Sequence, residues 1–185
     1  MARMEYIRLN GETVRDSMKR QNLVKEIEVN GDSSYYYPVT VKPIKTENYR
    51  AIRVGLGKFL ETKTANYSGN HPSGTSSCSY EWIMSAGGWD GNERFLRLFY
   101  GMYTYAPLLS HIEMQGGCYS GIVLWIRGGG ISYKISCDDL FSVNIYYEQT
   151  NLGYGDYPYY VSPRTDIGNG GAGNVGTMTV EGIIK

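Results

Sequence analysis

The pattern of apolar and polar positions reads as strands almost from end to end. Its centre is Gly121–Ser136. Ile122, Val123, Leu124, Trp125 and Ile126 are apolar without a break, the pattern of a strand buried on both faces. Ile131, Tyr133 and Ile135 then alternate with Ser132, Lys134 and Ser136, as in a half-buried strand. Gly128, Gly129 and Gly130 lie between. Tight hairpin turns need positive φ, which glycine adopts without a Cβ clash, so the stretch predicts a β-hairpin with one deep strand and one half-exposed strand.

Other segments share the period of two. Leu23–Val29 sets Leu23, Lys25, Ile27 and Val29 against Val24, Glu26 and Glu28. Tyr37, Val39 and Val41 share a face, and Pro38 beside them lacks an N–H, which predicts a strand at an edge or just beginning. Ile52, Val54 and Leu56 point inward from Ala51–Leu56. Tyr80–Met84, Phe95–Tyr100, Phe141–Tyr147 and Thr177–Ile184 complete the set. Residues 61–79 read as a long polar loop, and residues 108–120 as a lead into the central hairpin.

The expected fold is therefore all-β, a compact antiparallel sandwich-like domain over 31–185. A separate N-terminal segment, residues 1–30, concentrates charge in Arg3, Arg8, Arg15, Lys19, Arg20 and Lys25. Asn10 or Thr13 caps a short helix running to Gln21, with Val14 and Met18 on one stripe. A stripe that narrow does not hold a helix in water alone, so it is expected to pack on the β core or join chains.

The 185 residues suffice for one sizeable core. Lys plus Arg equals Asp plus Glu at 18 each, which argues against a nucleic-acid binder. No apolar run reaches the length of a membrane span. The N-terminus lacks a signal-peptide core, so synthesis in a cytoplasm is expected. Cys78, Cys118 and Cys137 are odd in number and widely spaced, which predicts free thiols rather than a disulfide framework or zinc site.

No enzyme signature emerges. His71 and His111 show no metal-ligand spacing, and there is no nucleophile elbow for a serine. Asp138 and Asp139 are neighbours that point to opposite faces, so a turn or capping role fits them better than acid–base work. Gly128–Gly130 lacks the lysine and helix of a phosphate cradle. No catalytic residue, metal or cofactor is assigned.

Tyrosine changes the picture. There are 18, alongside 24 glycines. Tyr154, Tyr157, Tyr159 and Tyr160 cluster among Gly, Asp and Pro, and Trp89 lies in a turn-rich stretch. Rings set in loops among small polar residues make adaptable binding surfaces or subunit contacts. These five residues are the candidate ligand-binding set. The glycine-rich run that follows, to residue 176, reads as a mobile loop or as closely packed backbone.

Three motifs in order carry a resemblance: Tyr37-Pro38-Val39, the Arg53-containing strand, and Trp125 followed by Arg127, Gly128, Gly129 and Tyr133. Over residues 27–147 the chain resembles C-terminal domains of tail-fibre proteins of tailed bacteriophages and prophages. Trp125 stands at a position usually Tyr or Leu, and Gly130 is an extra residue in the frame. The resemblance implies a non-enzymatic virion tail module, commonly a homotrimer. It would contact other tail or fibre proteins and a bacterial surface glycan or outer-membrane receptor. Alternatives are a carbohydrate-binding domain of a bacterial protein and a tail spike that depolymerises glycan.

Overall fold

The computed structural model describes residues 23–44, 51–58, 77–85, 96–103, 107–114, 121–153, 158–168 and 176–179. These form antiparallel sheets and contain no helix. The strands are β1 (Val24–Val29), β2 (Tyr36–Pro43), β3 (Ala51–Lys58), β4 (Cys78–Ser85), β5 (Leu96–Tyr103) and β6 (Leu109–Met114). They continue with β7 (Ile122–Arg127), β8 (Ile131–Cys137), β9 (Phe141–Ile145), β10 (Thr150–Asn151), β11 (Tyr160–Val161) and β12 (Gly176–Thr179). One sheet has the order β1-β8-β3-β4-β5-β12 and a second the order β6-β7-β2-β9; β10 and β11 pair separately. The helix expected before Gln21 and most of the 61–79 loop lie outside the described residues, whereas residues 24–29 of the segment set apart as 1–30 are a strand of the larger sheet.

The central stretch is not a hairpin. Its two strands have the expected burial: β7 is buried through Ile126, and β8 alternates strictly. They belong to different sheets, however. β7 lies between β6 and β2, and β8 between β1 and β3. The glycines carry the chain across the sandwich rather than back along one sheet. Gly129 and Gly130 take φ of 96° and 75° to make the crossing. Gly128 donates its N–H to the Tyr35 carbonyl at 3.0 Å, and Gly130 donates to the Val29 carbonyl at 2.9 Å. Each end of the crossing is thereby held by a different sheet.

The apolar run of β7 is covered on both faces. Ile122, Leu124 and Ile126 face the main core with Val39, Val41, Ile52, Val54, Leu56, Trp82, Tyr133 and Ile135. Val123 and Trp125 point the other way, into a smaller cluster with Tyr36 and Val161. A strand apolar on both faces requires a cover on each, and residues 158–168 supply the second one. At about 1.5–3 kcal/mol per large apolar side chain, the main core supplies most of the burial free energy. Tyr80 and Trp82 stack in it at 5.5 Å, and Lys25 closes one margin with its ammonium 5.1 Å from the Phe141 ring.

Pro38 does not mark an edge. β2 is an interior strand, paired with β7 from Tyr36 to Val41 and with β9 from Val39 to Pro43. The missing N–H falls where it does little harm. Tyr36 exchanges hydrogen bonds with Arg164 on the β9 side, so by the period of two Pro38 also faces that side. It lies between the Arg164 bridge and the end of the β9 ladder. Its carbonyl still accepts from Tyr146 N–H at 3.0 Å.

Residues 109–114 are a strand rather than a lead-in. β6 pairs with β7, and the register slips between Leu109 and Ile112. Three positions of β6 then span two of β7, the signature of a bulge that re-aims side chains. Cys78 and Cys137 are buried free thiols, whereas Cys118 lies outside the described residues. The two aspartates act in turns: Asp138 accepts from Arg53 N–H at 3.1 Å, and Asp139 from Leu140 N–H at 2.8 Å.

Candidate functional site

The outer face of the four-stranded sheet gathers Glu113, His111, Arg164, Tyr159 and Asp166 beneath and within residues 158–168, which lie across it as a strap. Backbone bonds fix this strap first. Tyr36 N–H donates to the Arg164 carbonyl at 2.7 Å, and Arg164 N–H returns a bond to Tyr36 at 3.0 Å. Asn151 Oδ1 accepts from both Gly153 N–H and Tyr159 N–H at 2.9 Å, tying the strap to the β10 turn. The Trp125 indole N–H donates to the Ser162 carbonyl at 2.9 Å, so a buried ring with one polar atom finds its partner in the strap.

The strap then brings its charges onto the sheet. The Arg164 guanidinium stands 4.6 Å from the Trp125 ring centre and 3.8 Å from Glu113 Oε1. Tyr159 donates its hydroxyl to Glu113 Oε2 at 2.8 Å. Burial and the Glu113 carboxylate together push the Tyr159 phenol far above its ordinary range. The His111 ring packs edge-on to Trp125 at 6.0 Å, with Nε2 3.4 Å from Asp166 Oδ2. That contact is an ion pair only when the ring is protonated. Burial and then Arg164 lower the His111 pKa, against the opposing pull of Asp166 and Glu113.

Ser110, His111 and Asp166 thus adjoin one another, as in a hydrolytic triad. The resemblance ends at access. Ser110 is fully buried, and its hydroxyl donates to the Asp166 backbone carbonyl at 2.6 Å. An oxygen so placed cannot meet an acyl carbon, and its role is to anchor the strap. Gly168 lies so close to His111 that a Cβ there would run into the imidazole.

Of the residues expected to bind ligand, Tyr159 and Tyr160 are brought to this site in different roles. Tyr159 is half-buried in the outer cluster, whereas Tyr160 is 61% exposed and points away from it. Tyr154, Tyr157 and Trp89 lie outside the described residues. Sequence reasoning did not find Arg164, Glu113, His111 or Trp125 as members of the site. The alternation of His111 and Glu113 with Ile112 and Met114 was the available signal, masked by the bulge just before it.

A second concavity, of about 500 Å³, lies on the exposed face of the six-stranded sheet. Gly55, Gly57, Ser136, Lys134, Glu81 and Arg53 are among the residues that line it. Arg53 pairs with Glu81 at 3.2 Å. Among the described residues no group of three His, Cys, Asp or Glu side chains could hold a metal ion, and no helix is long and apolar enough to cross a membrane.

No family model matches the chain, and no curated protein matches it. Among solved structures, the tailspike protein of Acinetobacter phage vB_ApiP_P1 resembles it with a TM-score of 0.38 and 11% identity, over 65% of this chain. The matched part spans 22% of the tailspike's length. A likeness at that level does not bear on function.

Proposed function

We propose that the chain is a non-enzymatic structural and host-attachment module of a bacteriophage tail, of the tail-fibre type. The observation that carries this reading is the strap: an exposed tyrosine, Tyr160, on a segment held to the sheet by backbone bonds at Tyr36, the Arg164–Trp125 contact and the Tyr159–Glu113 hydrogen bond. Arg164, Glu113, Tyr159 and His111 are spent on holding the surface in place, which suits rigid display of a contact ring. The motifs of the tail-fibre resemblance support it from the architectural side. Tyr37, Pro38, Trp125, Arg127, Gly128 and Tyr133 meet around the crossing between the sheets: Pro38 pairs with Trp125, and Tyr133 donates its hydroxyl to the Arg127 carbonyl at 2.9 Å.

In this reading the module works in the virion tail as a homotrimer beside other tail or fibre proteins and touches a bacterial glycan or outer-membrane receptor through the 154–160 tyrosines. The test is binding of the labelled, purified chain to a panel of bacterial strains, with mass in solution measured on the same sample. Saturable binding to some strains, lost in Tyr160→Ala, is expected. Binding to none, or release of soluble oligosaccharide from cell-surface glycan, would sink the proposal, and a monomeric mass would remove the trimer from it.

A further inference from the structure

A second group of tyrosines gathers where β2 begins and β9 ends, beside Tyr36 and Tyr146, which meet the strap. The Tyr37 ring packs against both Tyr35, at 6.4 Å, and Tyr147, at 5.1 Å. The middle ring is fixed. It is 7% exposed, its oxygen accepts from Asp32 N–H at 2.8 Å, and Gly31 and Gly128 press against it without room for a Cβ. The outer rings rest on it and remain open, Tyr35 at 39% and Tyr147 at 43% exposure.

The polar groups around these rings are those a sugar uses. Tyr147 Oη accepts from Asn30 N–H at 3.1 Å, so its own proton is left to donate to a ligand. Asp32 Oδ1 accepts from Ser34 N–H at 2.7 Å and from Ser34 Oγ at 2.6 Å. These two bonds hold the carboxyl below its ordinary pKa, so it stays an acceptor down to acidic pH. Rigid ring faces, a phenolic donor and a carboxylate acceptor together match a pyranose, whose C–H face is apolar and whose rim is hydroxyl. Asp32 disfavours an acidic sugar through like-charge repulsion.

We propose that Tyr35, Tyr37 and Tyr147, with Asp32 and Asn30, form a binding site for a neutral hexose or N-acetylhexosamine unit of a surface glycan. This rests on the attachment reading and places a contact on rings other than those of the strap.

The test uses the full chain with its tyrosine rings labelled for NMR, titrated with the methyl glycosides of glucose, galactose, mannose and N-acetylglucosamine. At least one should shift the Tyr35 and Tyr147 ring signals saturably, whether or not Tyr160 also responds. Tyr147→Ala should then weaken binding about tenfold or more, and Tyr147→Phe by a smaller factor, since it keeps the ring and loses the donor. No shift at these rings with any glycoside, or shifts confined to Tyr159 and Tyr160, overturns the site. Cell binding separates the two readings. If the unaltered protein binds cells while no glycoside moves these rings, the site fails and attachment stands. If ring shifts occur without cell binding, the saccharide site stands and the attachment reading fails.

Discussion

Arg164 lies over Trp125, its guanidinium carbon 4.6 Å from the ring centre, and this contact fastens the strap to the outer sheet. The companion ion pair to Glu113, at 3.8 Å between half-exposed groups, adds little. Arg164→Ala should therefore cost about 1–2 kcal/mol locally, mostly from the lost cation–π contact. Amide exchange at Tyr159 and Arg164 should accelerate while the thermal midpoint barely moves, because the main core is untouched. Arg164→Lys should restore only part of the protection, since a compact ammonium lacks the flat face that stacks on an indole.

Burial of His111, with the same guanidinium beside it, sets a pH dependence. The folded His111 pKa lies below its ordinary value of 6.5, through burial first and Arg164 second, while Asp166 and Glu113 pull upward. Above 6.5 the ring is neutral in both states and the contribution to stability is complete. As pH falls below 6.5, the unfolded chain takes up a proton that the folded ring resists. Stability then declines until the folded pKa is passed. Denaturant unfolding from about pH 7.5 down to 5 should show this loss, and His111→Gln should flatten it. In Arg164→Ala the ring should titrate at higher pH by NMR.

The glycine crossing makes a graded prediction. A Cβ on Gly128 would strike the Tyr37 ring and stand 2.6 Å from the Asn30 carbonyl oxygen, which is backbone and cannot swing away. Gly128→Ala should cost about 2–3 kcal/mol as an overpacked site. Gly130 has φ of 75° in open surroundings, with nothing closer to a Cβ than Asn30 Oδ1 at 3.9 Å, so Gly130→Ala should cost only about 1–2 kcal/mol for left-handed backbone. Thermal unfolding of the two variants gives the ranking, at about 2–4 °C per kcal/mol for a chain of this size.

The two strap tyrosines should separate by role. Tyr160→Ala should leave the midpoint unchanged and weaken cell binding. Tyr159→Phe removes the hydrogen bond to Glu113 and should cost about 1 kcal/mol. Tyr159→Ala also empties part of the outer cluster and should expose the strap to limited proteolysis. Equal effects of Tyr159→Ala and Tyr160→Ala on binding and stability would contradict the assignment.

Cys78 should be inert in the folded chain. It is 3% exposed, and desolvation pushes its thiol up to about 12 against the weaker opposing influence of Lys58. In a Cys118→Ser background, labelling of Cys78 and Cys137 by a thiol reagent at pH 8 should track global unfolding. Rapid labelling without denaturant would contradict the burial of this pair.

What could be read from the sequence follows from the range of each signal. Period and burial are local, so the double-sided burial of β7 and the alternation of β1, β3 and β8 were legible from residue type alone. Sheet membership is not local. Three glycines between two strands serve a hairpin or a crossing equally well, and what decides between them is that Val29 and Tyr35 hold opposite ends of Gly128–Gly130. Pro38 does stand near the start of β2, one of its two readings, but the edge reading fails because an interior strand can leave one gap in its ladder, here between Arg164 and β9. β6 was missed because its bulge breaks the period at Ser110 and His111, the residues it turns toward the strap. Tyr160 could be picked out by type and neighbours, whereas its anchor, Arg164, depends on contact with residues far away in the chain.

The crossing at Gly128–Gly130 also governs the order in which the molecule can be made. β1 has β8 as its partner, and β2 has β7 and β9. As the polypeptide leaves the ribosome, β1 must wait for about a hundred further residues and β2 for about eighty before their ladders can close. During that interval their apolar sides stay uncovered, so a nascent chain stalled before Ile122 should be a far better client for a chaperone than one released after Ile145.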